Sequence, residues 1–324
     1  MLRSLARLVR AAPPLPAETV LRRSPTVARL TRPFGSLPGL RPIAINDLGA
    51  DCPYSAEEQA VRCKLASLYR LVDARGWSMG IYNHITARIT ASDEHFLVNP
   101  FGLLYDEVTA SNLVRVDLAG AVLDPGSSAA GVNLAGYVLH SAIHETRPDV
   151  MCALHVHLPD AIAVSTMQCG LLPITQEALV VHGFAGVSYH DYQGILINSA
   201  EKKDIQENLG PKNKVLVLRN HGVVVCGETV EEAYLLLDFF MIACQSQVAM
   251  MAAGVDGLAQ ISSVAFENML KMKEEAKGVD TKTISEGKAL QFGQQDFEAC
   301  MRKLDRAGLS TGYPYRRPEL LDRQ

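Results

Sequence analysis

The sequence lacks any sign of paired or clustered cysteines. It holds seven cysteines, an odd number, and none of them stands in CxxC spacing. This pattern excludes the disulfide framework of a small secreted domain and the ligand set of a zinc ribbon. We therefore expect buried, inert thiols and a reducing compartment.

Two further absences narrow the class of protein. No uninterrupted apolar run reaches the roughly 18 residues that cross a membrane. The longest candidate, Ala233–Ala253, is broken by Asp238 and by Gln245-Ser246-Gln247, so we predict a buried helix there and a protein that is not transmembrane. The sequence also lacks a Gly-rich GxGxxG, which disfavours a dinucleotide-binding sheet.

Lysine is absent from the first 46 residues, and acidic residues are nearly absent. Eight arginines and one acid give this segment a charge of +7, so the rest of the chain carries −11 within a total of −4. A nucleic-acid backbone requires clustered Lys and Arg on the surface that docks against it. An acidic body lacks that feature, and we exclude nucleic-acid binding.

The start of the chain is Arg-rich and amphipathic. In MLRSLARLVRAA three arginines share one helical face and apolar residues share the other, and a Pro/Arg/Ser-rich stretch follows to about Pro42. This composition is typical of a mitochondrial transit peptide, so a mitochondrial location is expected. The alternative is a disordered basic tail. On both interpretations residues 1–45 lie outside the folded domain.

Hydrophobic periodicity predicts an α/β domain over residues 51–255 and a helical C-terminal extension over 256–324. Ser55 and Glu58 have capping-box spacing, and the first helix is expected to end at Gly76. The other predicted helices are Asn133–Glu145, Asp160–Gln168, Glu228–Ala253, Val264–Lys277 and Glu286–Leu304. The predicted strands are Ile85–Thr90, His95–Asn99, Leu113–Leu118, Met151–His157, Val187–Tyr189, Val215–Arg219 and Val223–Cys226.

Three histidines have the arrangement of a metal site. His155 and His157 lie two residues apart on a strongly β-forming run, so their side chains project from one face of a strand. His221 follows another apolar strand and precedes Gly222, where a side chain can be directed into a cleft. Three imidazoles with an open position are typical of catalytic zinc. The alternative is that these are satisfied core or surface histidines.

Longer motifs carry a family resemblance. RPDVMCALHVHLPDAIAVS, followed further along by LRNHG, resembles the metal-site signature of class II aldolases. IYNHITARI, FGLLYDEVTASNLV, GVNLAG, LHSAIH, CGLLPI, YHDYQGI and NLGPKNKVLVLRNHG resemble the adducin head domain more closely still. The resemblance to this class II aldolase/adducin family spans about Cys63 to Ala253. It implies a three-layer α/β/α fold with a central, mainly antiparallel sheet, and a homo-oligomer, commonly a tetramer with sites between subunits.

The resemblance also implies site residues. His155, His157 and His221 fall on the zinc ligands, so the implied cofactor is a divalent metal, zinc first, which would polarise a hydroxy-carbonyl compound as a Lewis acid. Asn83 and Gly102, the latter in a Pro-Phe-Gly loop, match in part the loops that bind the substrate.

The position of the aldolases' catalytic glutamate is the clearest departure from the family pattern. Gly136 stands there, and glycine has no proton to exchange. Leu134 and Ala135 replace serines that hold a phosphate, which favours an unphosphorylated substrate. If the glutamate alone is missing, Gly136→Glu should restore activity. Three other residues are candidates for a substitute acid or base, although a structural role suits each of them better: Glu177, His140 and His190.

Two functions of different class follow. The first is a metal-dependent lyase-type enzyme acting on a small hydroxy-carbonyl compound, with impaired or altered chemistry. The second is a non-catalytic adducin-like protein of the actin/spectrin cytoskeleton, located in the cytoplasm. Adducins contact actin and spectrin largely through a Lys-rich tail, and the residues up to Gln324 show none. We therefore expect the first function. We also expect the long apolar helix Glu228–Ala253 to lie at a subunit interface.

Overall fold

The computed structural model describes residues 42–194, 199–278, 291–316 and 318. The predicted transit segment lies outside these residues except for its last four positions. The mitochondrial location therefore stays a prediction. The first five residues of the predicted helix Glu286–Leu304 also lie outside the described part.

Helix α1, Ala56–Ala74, occupies the first predicted helix. The Ser55 hydroxyl caps it by accepting a hydrogen bond from the Glu58 backbone N–H at 3.2 Å. The Glu58 carboxylate itself binds the buried guanidinium of Arg62. Gly76 follows the helix with φ +71°, the left-handed conformation in which helices commonly end.

One sheet forms the centre of the described structure, in the order β4-β3-β2-β1-β5-β8-β7-β6. Six of its seven neighbouring pairs are antiparallel, and β6 with β7 is the parallel pair. The mainly antiparallel sheet is thus confirmed. The strands are β1 His84–Arg88, β2 His95–Val98, β3 Val114–Asp117, β4 Val122–Asp124, β5 Cys152–Val156, β6 Val187–His190, β7 Val215–Leu218 and β8 Gly222–Gly227.

Helices cover both faces of this sheet. On one face the core includes Ile143 of α2, Ala153 of β5 and Ile205 of α5. On the other face Leu154 of β5 and Phe240 of α6 belong to the larger core, together with residues of α1, α3 and α8. The fold is therefore the predicted three-layer α/β/α arrangement. The remaining helices are α2 Leu134–Thr146, α3 Pro159–Thr166, α4 Gln176–Val180, α5 Ser199–Leu209, α6 Val230–Met250, α7 Ser263–Gly278 and α8 Gln294–Arg306.

Helix α6 is apolar because it lies in the core. With the turn that follows it, Val230–Ala253, it is long and apolar enough to cross a membrane by length and composition alone. Its Leu236, Phe240 and Cys244 are nevertheless fully buried within this chain. Packing inside the domain accounts for much of its apolar surface, and the predicted role of the helix at a subunit interface stays a prediction.

The packed unit extends beyond residues 51–255 at both ends. Ile45 is fully buried, and its backbone exchanges hydrogen bonds with Leu309 and Ala110. In α8, Phe297 and Met301 lie in the main core. The segment after α6 is therefore part of the domain as well as an extension of the chain.

The α2 side of the sheet is polar where β1 and β5 meet. In β1 the alternation of a strand sends Ile85 into the larger core and turns His84 and Thr86 toward α2. The antiparallel register sets His84 directly opposite His155, and Thr86 opposite Ala153. This pairing positions the site described next.

Candidate metal centre

His155, His157 and His221 converge at the edge of the sheet where β5 ends and β8 begins. His155 lies near the end of β5, His157 follows that strand, and His221 lies in the turn between β7 and β8. One nitrogen of each histidine lies within 4.8 Å of the others. The ring centroids are 4.4 to 5.0 Å apart. The three side chains predicted as ligands thus form one cluster.

The turn between β7 and β8 directs His221 into this cluster. Asn220 adopts a φ of +59°, and the His221 backbone N–H closes the turn on the Leu218 carbonyl at 3.1 Å. Gly222 has no room for a side chain, because a Cβ there would overlap the Val156 carbonyl oxygen. Glycine therefore permits the close approach of β8 to β5 that brings His221 to the site.

Burial holds the three imidazoles in their neutral form. Burial, and then the neighbouring His221, lower the pKa of His157 to about 4. Burial also lowers the pKa of His155 well below its usual range, and that of His221 below its usual value. The Nδ1 of His155 donates to the Val223 carbonyl at 3.1 Å, which leaves the lone pair on Nε2. Neutral imidazole nitrogens are the form that binds metal.

The cluster fits a divalent ion such as zinc. Three imidazoles with an open side are a donor set that suits catalytic zinc. The Nε2 atoms of His155 and His157 lie 2.5 Å apart. Two nitrogens bound at about 2.05 Å in a tetrahedral site lie about 3.3 Å apart, so the rings would separate by about 0.8 Å around an ion. His157 and His221 are half-buried and lie outside the strands, which permits that movement.

An open cleft of about 440 Å³ leads to the three histidines. None of its described lining residues is Lys, Arg, Ser or Thr, so these side chains offer a phosphate no permanent positive charge, and the hydroxyls among them are those of Tyr82 and Tyr192. The lining thus agrees with the expectation of an unphosphorylated ligand. It comprises Met79, Tyr82, His84, Asn133, Ala135, Gly136, Leu139, His155, His157, Tyr192, Gly194, Asn220 and His221.

The two predicted substrate-binding residues lie beside the cleft rather than in its lining. Asn83 is buried, and its Oδ1 accepts a hydrogen bond from the Met79 backbone N–H at 2.6 Å. It borders a separate cavity of about 10 Å³, enough for about one water molecule. Gly102 lies in an exposed turn after β2 with φ +99°. Their role in substrate binding stays a prediction.

The family is decided by a match that covers more than half of the chain. The Class II Aldolase and Adducin N-terminal domain matches residues 63–248. The chain belongs to the class II aldolase and adducin family. Rat alpha-adducin is 50% identical over 287 residues, which are 86% of this chain and 38% of that protein. Adducin-related protein 1 of Caenorhabditis elegans is 41% identical over 297 residues, 91% of this chain and 40% of that protein. The chain thus spans about two fifths of these adducins.

Solved structures of the family share the fold. An aldolase II superfamily protein from Pseudomonas syringae is 39% identical, with a TM-score of 0.71 over 80% of this chain and 97% of that one. An L-fuculose 1-phosphate aldolase from Glaciozyma antarctica is 25% identical, with a TM-score of 0.64 over 79% of this chain and 95% of that one. The class II aldolase-like fold is therefore confirmed.

His84 occupies the space that a side chain at Gly136 would need. A Cβ built on Gly136 would overlap the His84 Nε2 and its neighbouring ring carbons. Gly136 lies in the first turn of α2, where alanine is favoured over glycine by up to about 1 kcal/mol. Glycine at this position is thus explained by the histidine ring. A glutamate introduced by Gly136→Glu would therefore first have to displace His84 before it could act as the missing acid or base.

The residues considered as substitute acids or bases lie elsewhere. Glu177 is half-buried in the first turn of α4, and His190 lies at the end of β6 beside Glu201. His140 is fully buried behind His84 and does not line the cleft. Sequence reasoning missed His84, although the motif IYNHITARI contains it next to Asn83.

The first prediction concerns the metal itself. Purified protein should bind one zinc ion per chain through the three histidines, with each nitrogen about 2.0–2.1 Å from the ion. His157→Ala and His221→Ala should each abolish stoichiometric zinc in elemental analysis. His95→Ala, which changes an exposed histidine of β2, should leave it unchanged. Stoichiometric zinc in both cluster variants would contradict this site.

The second prediction tests the contact between His84 and Gly136. Gly136→Ala should lower the free energy of unfolding by about 1–3 kcal/mol, because the added methyl group overpacks against a held ring. The matched control is Gly49→Ala, since a Cβ at Gly49 meets nothing within 4 Å. The control should stay within about 0.5 kcal/mol of the wild type. Equal urea midpoints for the two variants would show that His84 does not occupy this space.

The third prediction concerns acid stability. Burial, and then the charge of Arg88, lower the pKa of His144 to about 3. The unfolded chain binds a proton at this residue near pH 6.5, whereas the folded chain does not, so stability is complete above that pH and falls as the pH drops toward 3. Between pH 7.5 and 5.5, His144 should account for a loss of about 1.4 kcal/mol in the unfolding free energy of the metal-free protein. The His144→Phe variant should be less stable than the wild type at pH 7.5. Between pH 7.5 and 5.5, however, its free energy of unfolding should fall by about 1.4 kcal/mol less than that of the wild type. An unchanged pH dependence would contradict a neutral His144.

Proposed function

We propose that this chain is an adducin-like domain that keeps a metal site of the class II aldolase type but serves assembly in an actin/spectrin cytoskeleton. The position of His84 over Gly136 carries this proposal, because it replaces the carboxylate that ordinary aldol cleavage in this family requires. The 50% identity to rat alpha-adducin supports the same conclusion. The sequence alone favoured the lyase, and the relatives favour the adducin-like role.

Cleavage of sugar phosphates is disfavoured at two separate points. Gly136 offers no acid or base, and losing such a positioned group lowers a rate by about 10²–10⁴-fold. The described cleft lining also lacks Lys and Arg, so the non-reacting phosphate end of a substrate would gain little binding energy from charge pairing.

Assembly implies partners and a location. The family resemblance supports a homo-oligomer, with a tetramer as the specific proposal. Actin and spectrin are the proposed partners, by likeness to the adducins. These partners imply a cytoplasmic, cytoskeletal location. The composition of the first 45 residues predicts a mitochondrial location instead.

The metal cluster supports a second candidate function, lyase-type chemistry on a small, unphosphorylated hydroxy-carbonyl compound. Three neutral imidazoles at the base of an open cleft are the specific observation in its favour. A bound divalent ion supplies Lewis-acid polarisation of a carbonyl. His155 presents its Nε2 because Nδ1 is engaged by Val223, and the side chains of Tyr82 and Tyr192 line the same cleft.

One set of assays separates the two functions. Zinc-loaded protein should show no appreciable cleavage of L-fuculose 1-phosphate or L-rhamnulose 1-phosphate. It should behave as an oligomer in light scattering and sediment with spectrin–actin filaments. His157→Ala should sediment equally well if assembly is independent of the metal. Turnover of either sugar phosphate at an ordinary kcat, about 1–10³ s⁻¹, would overturn the proposal. Turnover of an unphosphorylated hydroxy-carbonyl without sedimentation would establish the second candidate instead.

A further inference from the structure

A chain of buried hydrogen bonds leads from the cleft to the backbone at the start of β5. His84 Nδ1 contacts His140 Nε2 at 2.8 Å, and His140 Nδ1 contacts the Thr86 hydroxyl at 2.7 Å. The same hydroxyl contacts His144 Nε2 at 2.8 Å, and His144 Nδ1 contacts the Val150 carbonyl at 3.2 Å. All four side chains are buried. We call His84, His140, Thr86 and His144 the relay.

The Val150 carbonyl sets the direction of every bond in the relay. A carbonyl oxygen can only accept, so His144 must carry its proton on Nδ1 and an acceptor lone pair on Nε2. The single Thr86 proton then points to His144, and the Thr86 oxygen accepts from His140 Nδ1. His140 Nε2 is left as an acceptor, which requires a proton on His84 Nδ1.

The neutral relay therefore has one arrangement of protons. His84, His140 and His144 all carry the proton on Nδ1, whereas free histidine in water prefers the proton on Nε2. The opposite direction would set a lone pair of His144 against the Val150 carbonyl oxygen. Both His84 and His140 are buried, and burial favours the neutral form of an imidazole.

The outer end of the relay is the Nε2 of His84. That nitrogen lies in the space of the missing side chain at Gly136, and His84 lines the cleft. The His84 ring centroid is 5.2 Å from that of His155, so one small ligand can reach both His84 and an ion held by the histidine cluster.

We propose that His84 contacts the ligand of this site as a hydrogen-bond acceptor, and that His140, Thr86 and His144 fix the tautomer that makes it one. This rests on the metal site of the second candidate function. An unprotonated Nε2 can only accept, so the part of the ligand beside it must be a donor such as a hydroxyl. A carboxylate or phosphate is excluded from that position. The ligand class is thus a small compound whose carbonyl faces the ion and whose hydroxyl faces His84.

The tautomers can be read without metal or activity. In protein labelled with ¹⁵N-histidine, long-range ¹H–¹⁵N spectra distinguish protonated from unprotonated ring nitrogens. In the wild type, His84, His140 and His144 should all show a protonated Nδ1 and an unprotonated Nε2. A protonated His84 Nε2 in the metal-free wild type would overturn the proposal.

Thr86 provides the matched pair of variants. Thr86→Val removes the hydroxyl, so His140 is free to carry its proton on Nε2 and donate to His84 Nδ1. The His84 proton should then move to Nε2. Thr86→Ser keeps the hydroxyl and should retain the wild-type tautomers. If Thr86→Val leaves the His84 tautomer unchanged, the relay does not set it.

Two small hydroxamates test the contact with the ligand. Both can chelate zinc, but glycolohydroxamate has a hydroxyl that acetohydroxamate lacks. Zinc-loaded wild type and Thr86→Ser should bind glycolohydroxamate about tenfold more tightly, the effect of one hydrogen bond. His84→Phe should bind both compounds equally, because it has no ring nitrogen to contact the hydroxyl. Equal binding by the wild type would overturn the ligand contact.

A failure of the metal site is distinguishable from a failure of the relay. If zinc does not bind, neither hydroxamate binds and the ligand contact is overturned together with the second candidate function. The tautomer spectra of the metal-free protein then still decide whether the relay exists. If zinc binds but His84 carries its proton on Nε2, the metal site stands and the relay is wrong.

Discussion

The antiparallel pairing of β1 with β5 determines the chemistry of this site. Its register sets His84 opposite His155. The imidazole of His84, which is not a predicted metal ligand, therefore stands beside His155, which is one. A shift of β1 by one residue would turn His84 to the opposite face of the sheet, away from His155. The same pairing holds His84 over the first turn of α2, where glycine alone leaves room for the ring.

Burying so many imidazoles has a thermodynamic consequence. The interior favours their neutral forms, and each ring needs a hydrogen-bond partner, because an unpaired buried polar group costs about 1–3 kcal/mol. The structure meets this need with two backbone carbonyls. The Val223 carbonyl binds His155 of the metal cluster, and the Val150 carbonyl binds His144 of the relay. These two carbonyls orient the rings, and in doing so they leave acceptor nitrogens directed at the cleft.

Local sequence patterns predicted much of this structure, but not its long-range contacts. The alternation of a β-strand was enough to place His155 and His157 on one face, and the strand end before Gly222 indicated His221. His84 was missed because its neighbour in space, Gly136, depends on how β1 and α2 pack. Short or polar elements were missed too, among them β4 and α5, which contributes Ile205 and Leu209 to the core. For helix α6 an apolar sequence does not separate burial inside the domain from a subunit interface, because both favour apolar side chains, and its interface role stays a prediction.

The central claim is that this domain keeps the metal ligands of the class II aldolases while a histidine replaces their carboxylate. The most direct measurement is an experimental structure of the zinc-loaded protein with the ion located by anomalous scattering. The account predicts zinc on His155, His157 and His221, with the His84 ring over Gly136, hydrogen-bonded to His140 and not bound to the ion. An ion held elsewhere, or a His84 ring turned away from Gly136, would contradict it.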